Sequence, residues 1–448
     1  MKAINTPYNI FWYRRDLRLH DNTALHAALN SGLPVRCIFI FDTEILNRLE
    51  DKADRRMVFI HNALQQIHKQ LIARGGSLHT YFGSPPEVWK GIIAEAKPHA
   101  VFANEDYEPY ARKRDTAVAV LLQAAGSVLH LFKDQVVFAP DEALKADGKP
   151  YTIFTPYYNR RMALLGSTHL ESRPSEQYLG NVLQEAPATL HSLADTGFKP
   201  LPQNELHIPG SHISDSLMLN YATNRDFPAL PGTSHVGVHL RFGTVSARQI
   251  ERRAAELNAM VFQKELVWRE FFMMILYQFP QVLNQSFRPE YDRIQWRNNP
   301  AEFRLWCEGR TGYPIVDAGM RELNATGFMH NRVRMAVASF LCKHLLIDWR
   351  WGEAYFAAKL IDYDLSANNG NWQWAAGSGC DAAPWFRIFN PLLQAQKFDG
   401  KMEYIKRWIP ELLTGEYAQP MVPHEAGRDR AKAVYSAGLG RSIGNAAG

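Results

Sequence analysis

The residues best suited to chemistry fall in a few short segments of the second half of the chain. NNGNWQW (Asn368–Trp374) crowds Asn, Gly and Trp into one stretch, a composition that argues against a routine helix. An Asn amide can donate to or accept from the edge of a heteroaromatic ring, and glycine lets backbone come close to it. Just upstream, Asp362 and Asp364 flank Tyr363. In HNRVRMAVASFLCKH (His330–His344), helical spacing puts Asn331 and Met335 on one face. Arg332 and Arg334 are two apart, hence about 200° apart around the axis. They cannot serve one partner: one can meet a phosphate while the other turns inward to an acid, with Asp362 or Asp364 as candidates. In ELVWREFFMMILY, Glu265 and Trp268 share a helix face. There a carboxylate could hydrogen-bond a base while the indole stacks on it; an exposed Glu above a core Trp accounts for the pair equally well. PGTSHVGVHLRFGTVS (Pro231–Ser246) gathers Thr, Ser and Gly around a helix start. Free N–H groups and hydroxyls there suit a pyrophosphate, although a plain N-cap is the simpler explanation.

Elements must position these groups. Residues 1–135 alternate strand and helix. Asn9–Tyr13, Val35–Phe41, Leu78–Phe82, Ala100–Ala103 and Val128–Phe132 read as strands. Arg55–Ala73, Pro86–Ala96 and Tyr110–Ala124 read as helices between them. Strands joined by helical crossovers predict a doubly wound parallel α/β domain. No GxGxxG follows the first strand and no GxxxxGK[ST] occurs, so the common dinucleotide and P-loop signals are absent. A connector rich in Pro, Gly, Ser and polar residues follows over 136–204. Residues 205–448 read as an all-α domain, with helices at Ser246–Met260, Gln263–Phe279, Pro300–Glu308, Val316–Asn324, His330–Ile347 and Gly352–Leu360.

Four stretches carry a family resemblance: FWYRRDLRLHDN, the run from WRNNPAEF to MHNRVRMAVASFL, the run from IDWRWGEAYF to APWFRIFNP, and KFD. They resemble the photolyase/cryptochrome family from about Ile10 to about Pro423, and within it the bacterial class I cyclobutane pyrimidine dimer photolyases. The resemblance implies an FAD held in the helical domain. Tyr221, Thr233, Ser234 and the backbone of His235, Val236 and Gly237 would take its phosphates; family members often carry Ser at the Gly237 position, so only backbone contact is expected there. Arg334 and Asp362 would form the ion pair beside the flavin ring, with Tyr363 and Asp364 along its edge and Asn368 facing N5. Trp268 and Trp374 would wedge a flipped-out dimer, contacted also by Glu265, Asn331 and Met335. Arg225 and Arg332 would hold the DNA backbone. Trp372, Trp349 and Trp296 would relay electrons, while Trp306 and Trp351 read as core or surface. The implied reaction is light-driven splitting of dimers in UV-damaged DNA by electron transfer from reduced FAD. The glutamate of folate-binding members aligns with Ala111, which turns expectation from a folate antenna and leaves a deazaflavin, FMN or no antenna open. Phe328 replaces a Trp common before the MHNR motif, a change of packing.

A (6-4) photolyase, a blue-light-sensing cryptochrome and a flavin-holding regulatory module are the rivals. WQW argues against the first two, because Trp374 is the substrate-side ring of dimer photolyases. The set Glu265, Trp268, Asn331, Met335 and Trp374 argues against the third.

Bulk composition sets weaker bounds. Among 448 residues, 50 basic and 45 acidic side chains leave +5, which permits a local basic patch without demanding nucleic acid. Apolar residues at 46% suffice for large cores. Cys37, Cys307, Cys342 and Cys380 are scattered, without metal-ligand spacing, as expected of reduced thiols. With no signal peptide and no membrane-length apolar run, a cytoplasmic monomer that binds no metal is the expectation.

Overall fold

The apolar runs of the first third form one parallel sheet in the computed structural model, which describes residues 6–202 and 205–440. The outer limits of the expected domains, 1–5 and 441–448, and the end of the connector at 203–204 lie outside the described residues. Strands β1 (Asn9–Tyr13), β2 (Val35–Asp42), β3 (Leu78–Gly83), β4 (Ala100–Asn104) and β5 (Val128–Phe132) lie in the order β3-β2-β1-β4-β5. All neighbours are parallel; Ile10 pairs with both Arg36 and Val101. Every residue of β1 and β2 is buried. That is why these strands read as continuous apolar runs and not as alternation: helices cover both faces. β5 is an edge strand with an exposed pattern.

Crossover helices Arg55–Ile72, Pro85–Glu95 and Pro109–Ala124 agree with the expected spans within two residues. A short helix, Thr23–Leu29, was not expected after the charged RRDLRLHDN run. Its start is set by the Asn22 side chain, which accepts from the Leu25 N–H, and its face by Ala24, Leu25, Ala28 and Leu29. Much of the charged run is buried: Asp16, Arg18, Asp21 and Asn22 lie in the interior, while His20 is exposed. Arg18 donates to Asp134 at 2.7 Å, and Arg248 donates to both Asp134 and Asp21.

The chain divides into two units that interleave along the sequence. The first comprises residues up to Ala143 with Arg161–His212 and His235–Leu266. The second comprises Leu144–Arg160, Ile213–Ser234 and everything from Val267. Among its described residues the expected connector contains a helix, Phe154–Leu164, and 3-10 turns at Ser167–Leu170, Ser175–Asn181 and Ala194–Thr196.

The second unit is helical. Pro300–Cys307, Pro314–Thr326, Asn331–Ser339, Trp349–Lys359 and Leu365–Ala376 enclose a core that includes Trp306, Met320, Val337, Leu341, Trp349 and Trp372.

Two local expectations fail for physical reasons. His330–Ile347 is not one helix. It is helical over Asn331–Ser339 and then widens into a π-turn, Phe340–His344, with the Leu345 N–H donating to Phe340 O at 3.2 Å. The turn seats a buried Lys343, whose Nζ donates to the carbonyls of Ala376 and Trp385. NNGNWQW, in contrast, is ordinary α-helix within Leu365–Ala376. Asp364 caps it by accepting from Ala367 N–H, and Gly377 ends it at φ 89°. The polar side chains are used for packing: Asn369 and Gln373 both donate to Val282 O. Gly370 is required because a Cβ there would lie 2.1 Å from the Phe272 ring.

Candidate active-site cleft

Asp364 begins the helix Leu365–Ala376 and so decides what that helix presents. Successive turns put Ala367, Asn368, Asn371, Trp372, Trp374 and Ala375 along one cleft. The helix Asn331–Ser339 adds Asn331, Arg334 and Met335, which recur every three or four residues as helical periodicity requires. Asp362, Tyr363 and Asp364 close one end, and Phe356 and Leu360 form an apolar wall. The free space amounts to about 610 Å³.

Arg334 is fixed at both ends of its guanidinium. Nη2 donates to Asp362 Oδ2 at 2.9 Å and Oδ1 at 3.2 Å, and Nε donates to Met329 O at 2.7 Å. Asp362 is thus the acid that the inward arginine meets. Arg332 points elsewhere and pairs with Asp226 at 2.6 Å. Asn368 is buried, and its Nδ2 donates to Glu353 O at 3.0 Å, which fixes the orientation of the amide. The Glu353 carboxyl is itself pushed from the ordinary 4.5 up to about 7, by burial that Asn369 and Arg350 only partly offset. Sequence reasoning passed over Glu353; its place one residue after Gly352, on the helix beside Asn368, shows only in three dimensions.

Other expected residues lie outside this cleft. Trp268 belongs to the same unit and stacks on Phe154, with centroids 3.5 Å apart and planes 5° from parallel. Glu265 sits three residues earlier on the same helix, Met260–Gln278, in the stretch assigned to the other unit. Tyr221 lies on the helix Asp215–Asn224, and Arg225 caps that helix, 5.8 Å from the Tyr221 ring. Thr233 and Ser234 end the stretch assigned to the second unit, while His235, Val236 and Gly237 begin a stretch of the first. His235 takes φ 53°. Ser246, in the same motif, acts as a plain N-cap by accepting from Gln249 N–H. Trp349 is fully buried, and Trp296 packs half-buried against the same core. Trp306 is core, with its Nε1 donating to Val337 O. Among the described residues no His/Cys/Asp/Glu group could hold a metal ion, and no helix is long and apolar enough to cross a membrane.

The donor set of the cleft fits a flavin. A guanidinium–carboxylate pair and two Asn amides suit the polar rim of such a heterocycle, and Phe356, Leu360 and Trp372 suit its apolar body.

The first unit carries a second cleft at the carboxyl ends of β1 and β2, beside the point where strand order reverses. It holds about 820 Å³ between Phe39, Phe41, Met57 and Phe242, with Arg14, Arg15, Asp106 and Glu108 at its polar side. Ala111 lines it, and Tyr110 donates to Asp42 at 2.6 Å.

Two family models match the chain: "DNA photolyase" over residues 9–176 and "FAD binding domain of DNA photolyase" over 262–415. The deoxyribodipyrimidine photo-lyase of a Synechococcus species is 38% identical, over 95% of this chain and 96% of its own. That of Escherichia coli is 37% identical, over 96% and 98%. Among solved structures, a bacterial class III photolyase from Agrobacterium tumefaciens aligns over 98% of both chains, with TM-score 0.87 and 33% identity. An archaeal photolyase from Sulfolobus tokodaii with two FAD molecules aligns over 96% of this chain and 99% of its own, with TM-score 0.79 and 33% identity. The class I expectation is overturned by the Agrobacterium match, a class III protein alike over the whole chain. Motifs that line a shared cleft report shared chemistry, and they separate the classes poorly.

Proposed function

The chain belongs to the DNA photolyase family, and from that we infer a light-driven repair enzyme that splits cyclobutane pyrimidine dimers with a bound FAD. One observation carries the reading. Residues suited to a flavin rim (Arg334, Asp362, Asn368) and residues suited to a lesion (Asn331, Met335, Trp374) line a single cleft. Donor and acceptor would therefore be held in van der Waals reach, the condition for fast electron transfer without diffusion.

When bound and reduced, FAD supplies the photoexcited electron that opens the cyclobutane ring and takes it back afterwards. The protein binds and orients. Arg334, clamped by Asp362, places a fixed positive charge at the flavin rim, and Asn368 presents an amide held by the Glu353 carbonyl. Trp268 and Trp374 wedge the flipped dimer, which stacks poorly in the duplex and so costs less to extrude than a normal base. Glu265, Asn331 and Met335 contact its edges; Arg225 and Arg332 hold the strand. Tyr221, Thr233, Ser234 and the backbone of His235–Gly237 hold the FAD phosphates. Trp372 lines the cleft, Trp349 shares its core, and Trp296 packs on that core half-exposed, an order that supports electron passage from the surface inward.

The second cleft supports an antenna. Its aromatic walls and charged side suit a planar chromophore of deazaflavin or flavin type, and Ala111 offers no carboxylate to a folate. The absorption spectrum of the purified protein distinguishes these, since each chromophore has its own band.

The repair reading is tested with reduced, flavin-loaded protein, blue or near-UV light and a thymine-dimer oligonucleotide. Light-dependent loss of dimers is expected. Dimers that persist would end the reading, and loss of (6-4) lesions alone would move the protein to the sister activity.

A further inference from the structure

We propose that Asp226 determines how strictly this protein distinguishes damaged from undamaged DNA, by holding Arg332 in one orientation. The proposal rests on Arg332 being a DNA-backbone contact, as read above.

Arg332 Nη2 donates to Asp226 Oδ1 at 2.6 Å. Its guanidinium lies 4.3 Å from the Phe398 ring centroid, and Nη1 lies 3.5 Å from Met335 Sδ. Three different contacts fix the head, and Nη1 has only a weak sulfur partner among them. Nη2 is therefore held by the carboxylate and Nε is buried, which leaves Nη1 as the donor open to a phosphate.

Stability does not account for the carboxylate. The side chains of Arg332 and Asp226 keep 20% and 39% of their exposure, and ion pairs so placed add little to folding. Asp226 stands instead among cations. Arg225 precedes it in sequence, and Lys397 lies 5.2 Å from the same Phe398 ring. On a surface meant for a polyanion, that carboxylate opposes every phosphate that approaches at random. It spares only a phosphate that arrives on Nη1 of Arg332.

Location decides which phosphate that is. Asn331 and Met335, on the same helix, line the lesion cleft one residue before and three after Arg332. A strand whose lesion has entered the cleft passes this point in one defined path, while an undamaged strand has no such constraint. Asp226 thus favours the first by orientation and disfavours the second by repulsion, which is how a difference of affinities is built.

The test uses the flavin-loaded protein in the dark, with a dimer-containing duplex and its undamaged counterpart. Asp226→Asn keeps the shape and removes the charge. Binding to undamaged DNA is expected to tighten on the order of 5–10-fold, with its salt slope steeper by about 1. Dimer binding is expected to change about 2-fold or less, so the ratio falls. In an Arg332→Ala background Asp226→Asn is expected to tighten both DNAs alike, so that the ratio no longer moves. An unchanged ratio, or equal weakening of both DNAs, overturns the proposal while leaving the repair reading intact. If Arg332→Ala alone changes neither affinity nor salt slope, the DNA-contact reading itself falls, and this proposal with it.

Discussion

Phe154 covers Trp268: the two rings lie 3.5 Å apart and within 5° of parallel. Phe154 is fully buried, and its N–H donates to Asp381 at 3.1 Å. Phe271 and Phe272 pack on the same indole at 5.6 Å each. Trp268 is thus held in place by its neighbours, which would spare the entropy of ordering it against the lesion proposed to bind there. Phe154→Ala is expected to weaken dark binding of a dimer oligonucleotide about tenfold and to cost about 3 kcal/mol of stability. Phe154→Tyr should restore binding. Titration of both variants checks this; unaltered dimer affinity in the alanine variant would remove Trp268 from the lesion site.

The Arg334–Asp362 pair should govern flavin retention. Asp362→Asn leaves a half-buried guanidinium without its counter-charge, a change that costs about 3 kcal/mol or more when the pair is buried. Arg334→Lys keeps the charge but loses the two-oxygen grip on Asp362 and the Met329 contact. Both variants should purify with less flavin per chain, read from the ratio of visible to ultraviolet absorbance. Full flavin occupancy in both would place the pair outside the flavin site.

Trp296 is the half-exposed end of the expected relay, 5.9 Å from Tyr435 and edge-on to it. Trp296→Phe should slow photoreduction of oxidised flavin at least tenfold, since phenylalanine is far harder to oxidise. Repair by chemically pre-reduced protein should stay within about twofold. Time-resolved absorption and a repair assay separate the two. An equal loss of both would contradict a relay role.

Gly352 is the residue that lets Trp372 lie where it does. A Cβ at 352 would approach the Trp372 ring to 2.1 Å and Leu341 Cδ2 to 2.6 Å. Gly352→Ala must therefore push the indole toward the cleft or open the core, at about 1–3 kcal/mol. Thermal melting should fall accordingly, and the flavin absorption band should shift with the displaced ring. A variant with wild-type melting and spectrum would show that the helix Trp349–Lys359 can retreat freely.

Glu353 predicts a pH dependence. Its acid is raised from 4.5 to about 7, so the folded state holds a proton that the unfolded chain has released. The stabilising contribution is full below pH 4.5 and declines as pH rises through 7. Glu353→Gln removes that slope. The variant should gain roughly 3 kcal/mol relative to the parent at pH 8 and little at pH 4.5. Melting at both pH values checks it; parallel curves would mean that Glu353 is ionised throughout.

Much of this was legible in the chain. Five continuous apolar runs separated by helical periods specify a parallel sheet, because a strand covered on both faces cannot alternate. Helical spacing alone places Asn331 with Met335 and separates Arg332 from Arg334. The long motifs were enough to identify the family. They did not separate class I from class III.

What only the tertiary structure decided are relationships between segments far apart in the chain. Composition made NNGNWQW look irregular, yet Val282 O accepts from Asn369 and Gln373, 87 and 91 residues away, and Phe272 fills the space that Gly370 leaves. Asp362 rather than Asp364 takes Arg334, because Asp364 is occupied in capping the next helix. Phe154 on Trp268, Asp226 on Arg332 and the Glu353 carbonyl on Asn368 leave no periodic trace. Periodicity records which face of an element is buried; it carries no record of which distant side chain buries it.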